Sequence, residues 1–222
     1  MKKGLIFALG LALILVLAVP VIAAEDDLKD GEYVGYVAKD RGDEVIKVEI
    51  KRGAIADVDI LNQFKLDYDY EEGREAFLTY PHLVESQQSA DIDIISGATG
   101  STEDYNKATQ MALDIASDSY DGDKYYGVSE DFEHGHVLVE ITVENDEITD
   151  CRLITGDDDS DTNMLMPPKE DDYPHEEALE YYKDFPDKVV ENQGEVDMVS
   201  GATNSYESYN EALKMAMEQA GL

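Results

Sequence analysis

The chain has 222 residues, of which 51 are Asp or Glu and 17 are Lys or Arg, so its formal net charge is −34. This charge repels nucleic acids and anionic membrane surfaces and excludes both as expected partners. Apolar residues make up 43% of the chain, which is enough for a packed core in one large domain or two small ones.

The chain opens with Lys2-Lys3 and an apolar run from Leu5 to Ala24, which ends before three acidic residues. A basic start, an apolar stretch and small residues before a charged segment are typical of an export signal. The run is also nearly long enough to cross a bilayer, so an uncleaved anchor is the alternative. We therefore predict a signal peptide or membrane anchor at residues 1–24, with the rest of the chain outside the cytoplasm.

Apolar alternation next predicts three strands, with a turn signal at Arg52-Gly53 between the second and the third. The predicted strands are Tyr33–Val37, Val45–Ile50 and Ile55–Leu61. A helix is predicted from Tyr68 to Tyr80, and Pro81 is expected to end it. A further strand is expected to run into residues 93–99, and Ser101 is expected to cap a closing helix.

The same order of elements is predicted again after Asp121-Gly122. Strands are expected near residues 137–143 and 148–153, followed by a helix that ends before Pro186 and a closing helix from Ser205. Cys151, the single cysteine, aligns with Val58 of the first repeat. We interpret it as a small buried apolar residue and not as a reactive thiol.

One stretch occurs in both repeats, before each closing helix. Of the twenty aligned positions in 93–112 and 197–216, twelve are identical, against about one or two for random matching. This internal repeat predicts two tandem domains, at residues 28–118 and 120–222. Because strands precede helices in each, the expected fold class is α+β, with a small antiparallel sheet and helices in each domain.

The repeated stretch contains Ser-Gly-Ala-Thr followed by a helix start. Glycine permits unusual backbone angles, and the threonine hydroxyl is then presented on an accessible turn. The start of the helix offers free backbone N–H groups and a positive dipole end, which suit a phosphate group. The alternative is a tight, serine-capped turn with no ligand.

The pattern Asp-x-x-Ser-Gly-Ala-Thr, followed by one residue and Ser, resembles the motif of the FMN-binding domain family. That family includes the covalent-flavin subunits of sodium-pumping quinone reductases and of ferredoxin:NAD oxidoreductase, as well as exported two-flavin carriers of Gram-positive anaerobes. Many members also carry a Thr-Pro-Gly type loop upstream that contacts the flavin. Neither repeat shows this loop clearly, and Met164–Pro168 is its nearest counterpart in the second repeat.

The resemblance implies one FMN per domain, joined by a phosphoester to Thr99 and to Thr203. A magnesium-dependent flavin transferase would make each bond from FAD, and Asp93 and Asp197 belong to the pattern that it recognises. The remaining implied cofactor-binding residues are Ser96, Gly97 and Ala98 in the first repeat and Ser200, Gly201 and Ala202 in the second.

The implied function is that of an exported electron carrier between a membrane donor and an extracytoplasmic acceptor. No nucleophile–base pair or metal constellation is evident, so we expect an electron-transfer protein and not a stand-alone enzyme, with no catalytic residue of its own. The alternatives are a flavin-dependent reductase component for a small extracellular acceptor and a non-redox surface module.

Several other patterns favour structural interpretations. His134 and His136 have the spacing of two metal ligands on one strand face, but no third ligand is evident, which favours exposed loop histidines. The acidic run 157–161 lacks the Gly and the Glu of a calcium loop and is interpreted as solvated. Tyr105 and Tyr209, at matched positions, are expected to pack in the core, although stacking on a flavin ring is the alternative.

Overall fold

The computed structural model of the chain describes residues 28–39, 42–61, 70–130, 135–156 and 165–222. The described residues form six strands and four helices. In chain order these are β1 (Gly31–Val37), β2 (Glu44–Lys51), β3 (Ala54–Ile60), α1 (Glu71–Gln87), α2 (Thr99–Ala116), β4 (Lys124–Val128), β5 (Leu138–Glu144), β6 (Glu147–Ile154), α3 (Glu176–Asn192) and α4 (Thr203–Ala220). The predicted signal or anchor segment lies outside the described residues.

The strands form two three-stranded antiparallel sheets, ordered β1-β2-β3 and β4-β5-β6. The turn between β2 and β3 is Arg52-Gly53, with φ of 57° and 70°, and the turn between β5 and β6 is Asn145-Asp146, with φ of 54° and 63°. Positive φ at both central residues is what a two-residue hairpin needs to match the twist of its strands. The predicted α+β class is therefore confirmed: each half of the chain has three strands followed by two helices.

One face of each sheet packs against the two helices of its own half. In the first half Ile46, Val48 and Ile50 of β2 meet Tyr80 of α1 and Tyr105 of α2. The corresponding cluster of the second half contains Val139, Ile141, Cys151, Phe185 and Tyr209. Burial of these apolar faces is the main source of stability in each half.

The two prolines that were expected to end helices lie inside them. Pro81 is in α1 and Pro186 is in α3, and each helix continues for another six residues. A proline removes one helical hydrogen bond and costs about 3 kcal/mol in a helix interior. Val84 and Val189, beyond the two prolines, are fully buried, so packing of the last turns offsets this cost.

The ends of α1 and α3 are fastened to the sheets in the same way. Gln88 and Gln193 follow the two helices with φ near 55°. The Gln88 amide accepts from Ile55 N (2.8 Å) and donates to Ile55 O (2.9 Å). Gln193 makes the same pair of bonds with Ile148. Each glutamine therefore satisfies backbone groups on the outer edge of β3 or β6, the edge that faces away from the neighbouring strand of the sheet.

The prediction of a strand before each repeated stretch is wrong. Residues 91–95 and 195–199 have no strand structure. In the second half the side chain of Asn210 replaces a strand partner: its Oδ1 accepts from Val196 N (2.9 Å) and its Nδ2 donates to Val196 O (3.1 Å). In the first half Asn106 Nδ2 donates to Ile92 O (2.9 Å). An amide on the closing helix thus holds the segment without a fourth strand.

The faces of the two sheets that carry no helix pack against each other. This third cluster joins Val34 and Val45 of the first sheet to Val128 and Leu138 of the second. Tyr36 and Tyr126 stack there with ring centroids 4.7 Å apart. Gln219 of α4 links both sheets, because its amide accepts from Val34 N (3.1 Å) and donates to Tyr126 O (2.7 Å). Across the described ranges, no helix is long and apolar enough to span a membrane.

Candidate functional site

Both repeated stretches form a tight turn that leads into a helix. Gly97 has φ of 79° and Gly201 has φ of 94°, conformations that side chains with a Cβ rarely adopt. A Cβ at Gly97 would lie 2.7 Å from Glu72 Cγ, and one at Gly201 would lie 3.2 Å from Glu177 Cβ. Glycine is therefore required at both turns by backbone angle and, most strictly at Gly97, by space.

The helices begin at the two threonines and not at the following serines. Thr99 is the first residue of α2 and Thr203 the first residue of α4, after Ala98 and Ala202 as N-caps. The prediction that Ser101 caps the helix is therefore wrong, since it lies in the first turn. Both alanines are buried, and their carbonyls accept the first hydrogen bonds of the helices, from Thr102 N and Tyr206 N (both 2.9 Å).

Neither helix start has a side-chain cap. The first N–H groups of a helix have no partner within it, so those next to the threonine are available to bind a ligand. Both threonines are exposed. Of the other predicted residues, Asp93, Ser96, Gly97 and Asp197, Ser200, Gly201 are exposed, whereas Ala98 and Ala202 are buried. The two turns thus bring together a hydroxyl and several N–H donors, an arrangement that suits a phosphate ester.

The turn at Thr203 opens onto a cavity of about 410 Å³. This volume lies within the range of small-molecule sites. The polar and aromatic residues that line it are Lys169, Tyr173, His175, Thr203, Asn204, Ser205, Ser208 and Tyr209. No Asp or Glu occurs among the described residues of its lining, although the chain has 51 of them. A described lining without carboxylates in so acidic a protein fits a ligand that carries negative charge.

The interior of the cavity combines aromatic faces with one cation. Lys169 Nζ lies 4.7 Å from the ring centroid of Tyr173 and 6.0 Å from that of Tyr209. Met166 Sδ accepts weakly from Lys169 Nζ (3.7 Å) and from Tyr209 Oη (3.6 Å). Burial lowers the pKa of the Lys169 ammonium. A ligand that combines a flat heterocycle with a negatively charged group, such as FMN, matches these flat walls and this positive charge.

The corresponding region of the first half differs in its side chains. Tyr70, which precedes α1 as His175 precedes α3, donates a hydrogen bond from its hydroxyl to Gly97 O. Asp104, five residues after Thr99, forms an ion pair with Lys39, whereas the residue five after Thr203 is Ser208. The two turns therefore share a backbone shape but not a charge environment.

Comparison with known proteins adds a family to this geometry. Residues 134–218 match the family model of the FMN-binding domain. The matched segment contains Thr203, Lys169 and the cavity, and the match supports FMN as the ligand and a flavoprotein as the class of protein. No curated protein matches the chain significantly. A crystal structure of the CPE2226 protein of Clostridium perfringens is 28% identical, covers 41% of this chain and 90% of its own, and has a TM-score of 0.37.

The sequence did not predict several of the residues that line the cavity. Lys169, Tyr173 and His175 follow Met166 in the chain, and of these four only Met166 lies in the stretch Met164–Pro168 that was compared with the family loop. Met164 itself lies outside the described residues. Alignment of the two repeats through Glu72 and Glu177, the glutamates beside Gly97 and Gly201, was the available signal, because it places His175 opposite Tyr70.

Of the other sequence patterns, the expected core packing of the two matched tyrosines is confirmed. Tyr105 and Tyr209 are fully buried in the two cores, and Tyr209 also lines the cavity. His136 Nδ1 lies 2.8 Å from Ser129 O, and His134 lies outside the described residues. The described ranges contain no cluster of three or more potential metal-ligating side chains. The acidic run 157–161 also lies outside them.

Proposed function

We propose that this chain is an exported electron carrier that holds two FMN groups, one esterified to Thr99 and one to Thr203. The observation that carries the proposal is the exposed threonine at the uncapped start of an 18-residue helix, found at both repeated turns. The match of residues 134–218 to the FMN-binding domain supports the assignment for the second half. Twelve identities in twenty positions extend it to the first half as a tandem copy.

Attachment follows from the chemistry of the turn. The Thr203 hydroxyl oxygen bonds to the riboflavin-side phosphorus of FAD, the pyrophosphate bond breaks, AMP leaves, and the hydroxyl proton passes to solvent. A magnesium-dependent flavin transferase is the proposed catalyst, with Asp197 in the segment that it recognises. The N–H groups of the first turn of α4 then face the ester phosphate and favour its negative charge. Thr99 and Asp93 have the same roles in the first half.

A covalent link suits a protein outside the cell. The basic and apolar start of the sequence supports export, and free FMN is dilute outside cells, so a site without a covalent bond would lose it. A tether keeps the local flavin concentration high regardless of the external one. The bound flavin supplies the redox chemistry, and the protein orients and protects it. The proposed partners are a membrane electron donor and an extracytoplasmic acceptor.

In-gel flavin fluorescence after denaturing electrophoresis tests the attachment. The chain is co-expressed with a flavin transferase as wild type, Thr99→Ala, Thr203→Ala and the double variant. We expect fluorescence to fall by about half in each single variant and to vanish in the double variant, because each hydroxyl is one attachment point. Thr149→Ala, which removes an exposed threonine outside the motif, is the control and keeps full fluorescence. A colourless wild type, or a fluorescent double variant, contradicts the proposal.

A further inference from the structure

Lys169 is an unusual cation in this protein. Among the described residues, its ammonium donates a hydrogen bond only to the thioether of Met166, a weak acceptor. Its ammonium lies over the ring of Tyr173 and within 6.0 Å of the ring centroids of Tyr182 and Tyr209. No carboxylate of the described chain lies within ion-pair distance of it, whereas most lysines that the structure describes have one.

A charged Lys169 ammonium at this half-buried place costs free energy unless an anion binds beside it. Burial disfavours the charged ammonium and lowers its pKa. Aromatic faces return part of the lost solvation, but less than a carboxylate does. An anionic group in the cavity would restore the pKa and hold the positive charge in place. The cavity is therefore prepared for negative charge at the Lys169 position.

The flavin offers two anionic groups, the ester phosphate and the ring when it is reduced. The phosphate is fixed at Thr203, where the N–H groups of α4 face it. Lys169 instead lies among the tyrosine rings, which are the surfaces on which a flat ring packs. We propose that Lys169 faces the flavin ring at Thr203 and stabilises its reduced, anionic form. This inference rests on the proposed function.

The region of the first half that corresponds to the Thr203 cavity carries different side chains. Lys39 pairs with Asp104, and its Nζ lies 3.9 Å from Oε1 of the buried Glu44. Gly35 and Gly127 hold equivalent places in the two sheets, and their strand partners are Ile46 and Val139. Two residues before these partners lie Glu44 and Val137, so Glu44 of the first half corresponds to Val137 of the second. Asp104 corresponds to Ser208. Two neutral cavity residues of the second half are thus carboxylates in the first, which places the more readily reduced flavin at Thr203.

Two electrons from the membrane donor and one proton from water convert the neutral oxidised ring to the reduced monoanion, and the acceptor later removes the electrons while the proton returns to water. Lys169 supplies the compensating charge, so a second proton is not taken up. Within the described ranges, the titratable groups around Lys169 are the hydroxyls of Tyr173, Tyr182 and Tyr209, the His175 imidazole, and the exposed Glu170 carboxylate.

Redox titration of the Thr99→Ala holo-protein, which carries flavin only at Thr203, tests the inference. Replacement by Lys169→Met is expected to lower the equilibrium constant for reduction about tenfold, because a charge near the ring is lost. Tenfold corresponds to about 30 mV for a two-electron couple. Lys169→Arg restores the charge and most of the shift. Lys183→Met, which removes an exposed lysine paired with Asp171, changes the net charge equally and is expected to leave the midpoint unchanged.

A second measurement needs no variant at position 169. With one proton per two electrons, the midpoint of the Thr99→Ala protein changes by about 30 mV per pH unit near neutral pH; uptake of two protons doubles this slope. The doubled slope, or equal midpoints for Lys169→Met and Lys183→Met, overturns the role of Lys169 while attachment stands. A Thr99→Ala protein without any flavin overturns the proposed function itself.

Discussion

Cys151 shows how a single side chain is made inert by its place in the sheet. It lies in β6 opposite Ile141, as Val58 lies opposite Val48 in the first half, and it is buried. Burial, with smaller contributions from the charges of Asp150 and Glu140, raises the pKa of its thiol to about 12. The interpretation of Cys151 as a small buried apolar residue is therefore confirmed, and it was accessible from alignment of the repeats alone.

We predict that Cys151 does not react with a thiol reagent in the native protein. At about pH 8 a thiol with this pKa has roughly one ten-thousandth of its molecules as thiolate, the reactive form. Ellman's reagent should report one thiol only after denaturation. Thr149→Cys, two residues away and exposed, is the positive control and reacts at once. Native wild-type protein that reacts as fast as this variant would contradict the burial of Cys151.

At the scale of elements, two glycines set how closely the closing helices approach the sheets. A Cβ at Gly35 would lie 1.7 Å from Ala108 O of α2, and one at Gly127 would lie 1.9 Å from Ala212 O of α4. Such distances are possible only without a side chain, so β1 and β4 need glycine where the helix backbones cross them. These helices begin at Thr99 and Thr203, so the close contact also positions the candidate site.

We predict that Gly35→Ala lowers the free energy of unfolding by about 3 kcal/mol, because the helix backbone must move away and the core beneath it loosens. Urea unfolding followed by circular dichroism measures the change. Gly100→Ala is the matched control: its Cβ meets nothing within 4 Å, and alanine should raise helix stability by about 0.5–1 kcal/mol. A Gly35→Ala protein as stable as Gly100→Ala would refute the close approach.

The sequence predicted the elements better than their ends. The alternation of β2 and β3 and the periodicity of α2 and α4 give strands and helices directly. Pro81 misled the prediction of α1, because packing of Val84 against the core is a tertiary effect that a local rule does not include. The prediction of a strand before each repeated stretch failed for a similar reason. The amide of Asn210 takes the place of a strand partner through a contact that the sequence does not show.

At the scale of the molecule, the two sheets carry reversed charges at matched positions. Lys47 of β2 lies 3.2 Å from Glu32 and 3.9 Å from Asp59. In the second sheet Glu140 takes the place of the lysine and is almost fully buried. It accepts two bonds from Arg152 (both 2.8 Å) and one from Lys124 Nζ (2.7 Å). The alignment did not reveal this reversal, because it concerns strand pairing across each sheet.

Burial alone would raise the pKa of Glu140, but the bonds from Arg152 and Lys124 outweigh it, and the pKa lies below its ordinary value. A lowered pKa gives stability that is present above the unfolded-state value and lost as the pH falls through the folded-state value. We predict that Glu140→Gln lowers the free energy of unfolding by about 1–3 kcal/mol at pH 7, and that its difference from wild type shrinks below about pH 4.5.

Urea unfolding in steps from pH 7 to about pH 3.5 measures this dependence. Glu147→Gln removes an exposed carboxylate of the neighbouring strand β6 and should differ from wild type by less than about 0.5 kcal/mol throughout. A Glu140→Gln difference that stays constant with pH would show that the carboxylate charge is not the source of the stability.

Contacts that only the whole fold creates also limited how much of the candidate site the sequence could predict. The repeated stretch gave Thr99, Thr203 and the glycines, because their spacing in the chain is the motif itself. Lys169 and Tyr173 belong to a segment without a counterpart motif, and only the fold brings them to Thr203. The charge difference between the halves likewise depends on which side chains face each turn, which composition does not encode.

The intact mass of the chain, co-expressed with a flavin transferase and measured under denaturing conditions, tests the central claim most directly. The account predicts a gain of two FMN groups, each less one water, in the wild type. It predicts one such gain in Thr99→Ala and in Thr203→Ala, and none when both threonines are replaced. A wild-type mass without any gain, in the presence of an active transferase, would contradict covalent flavin at these turns.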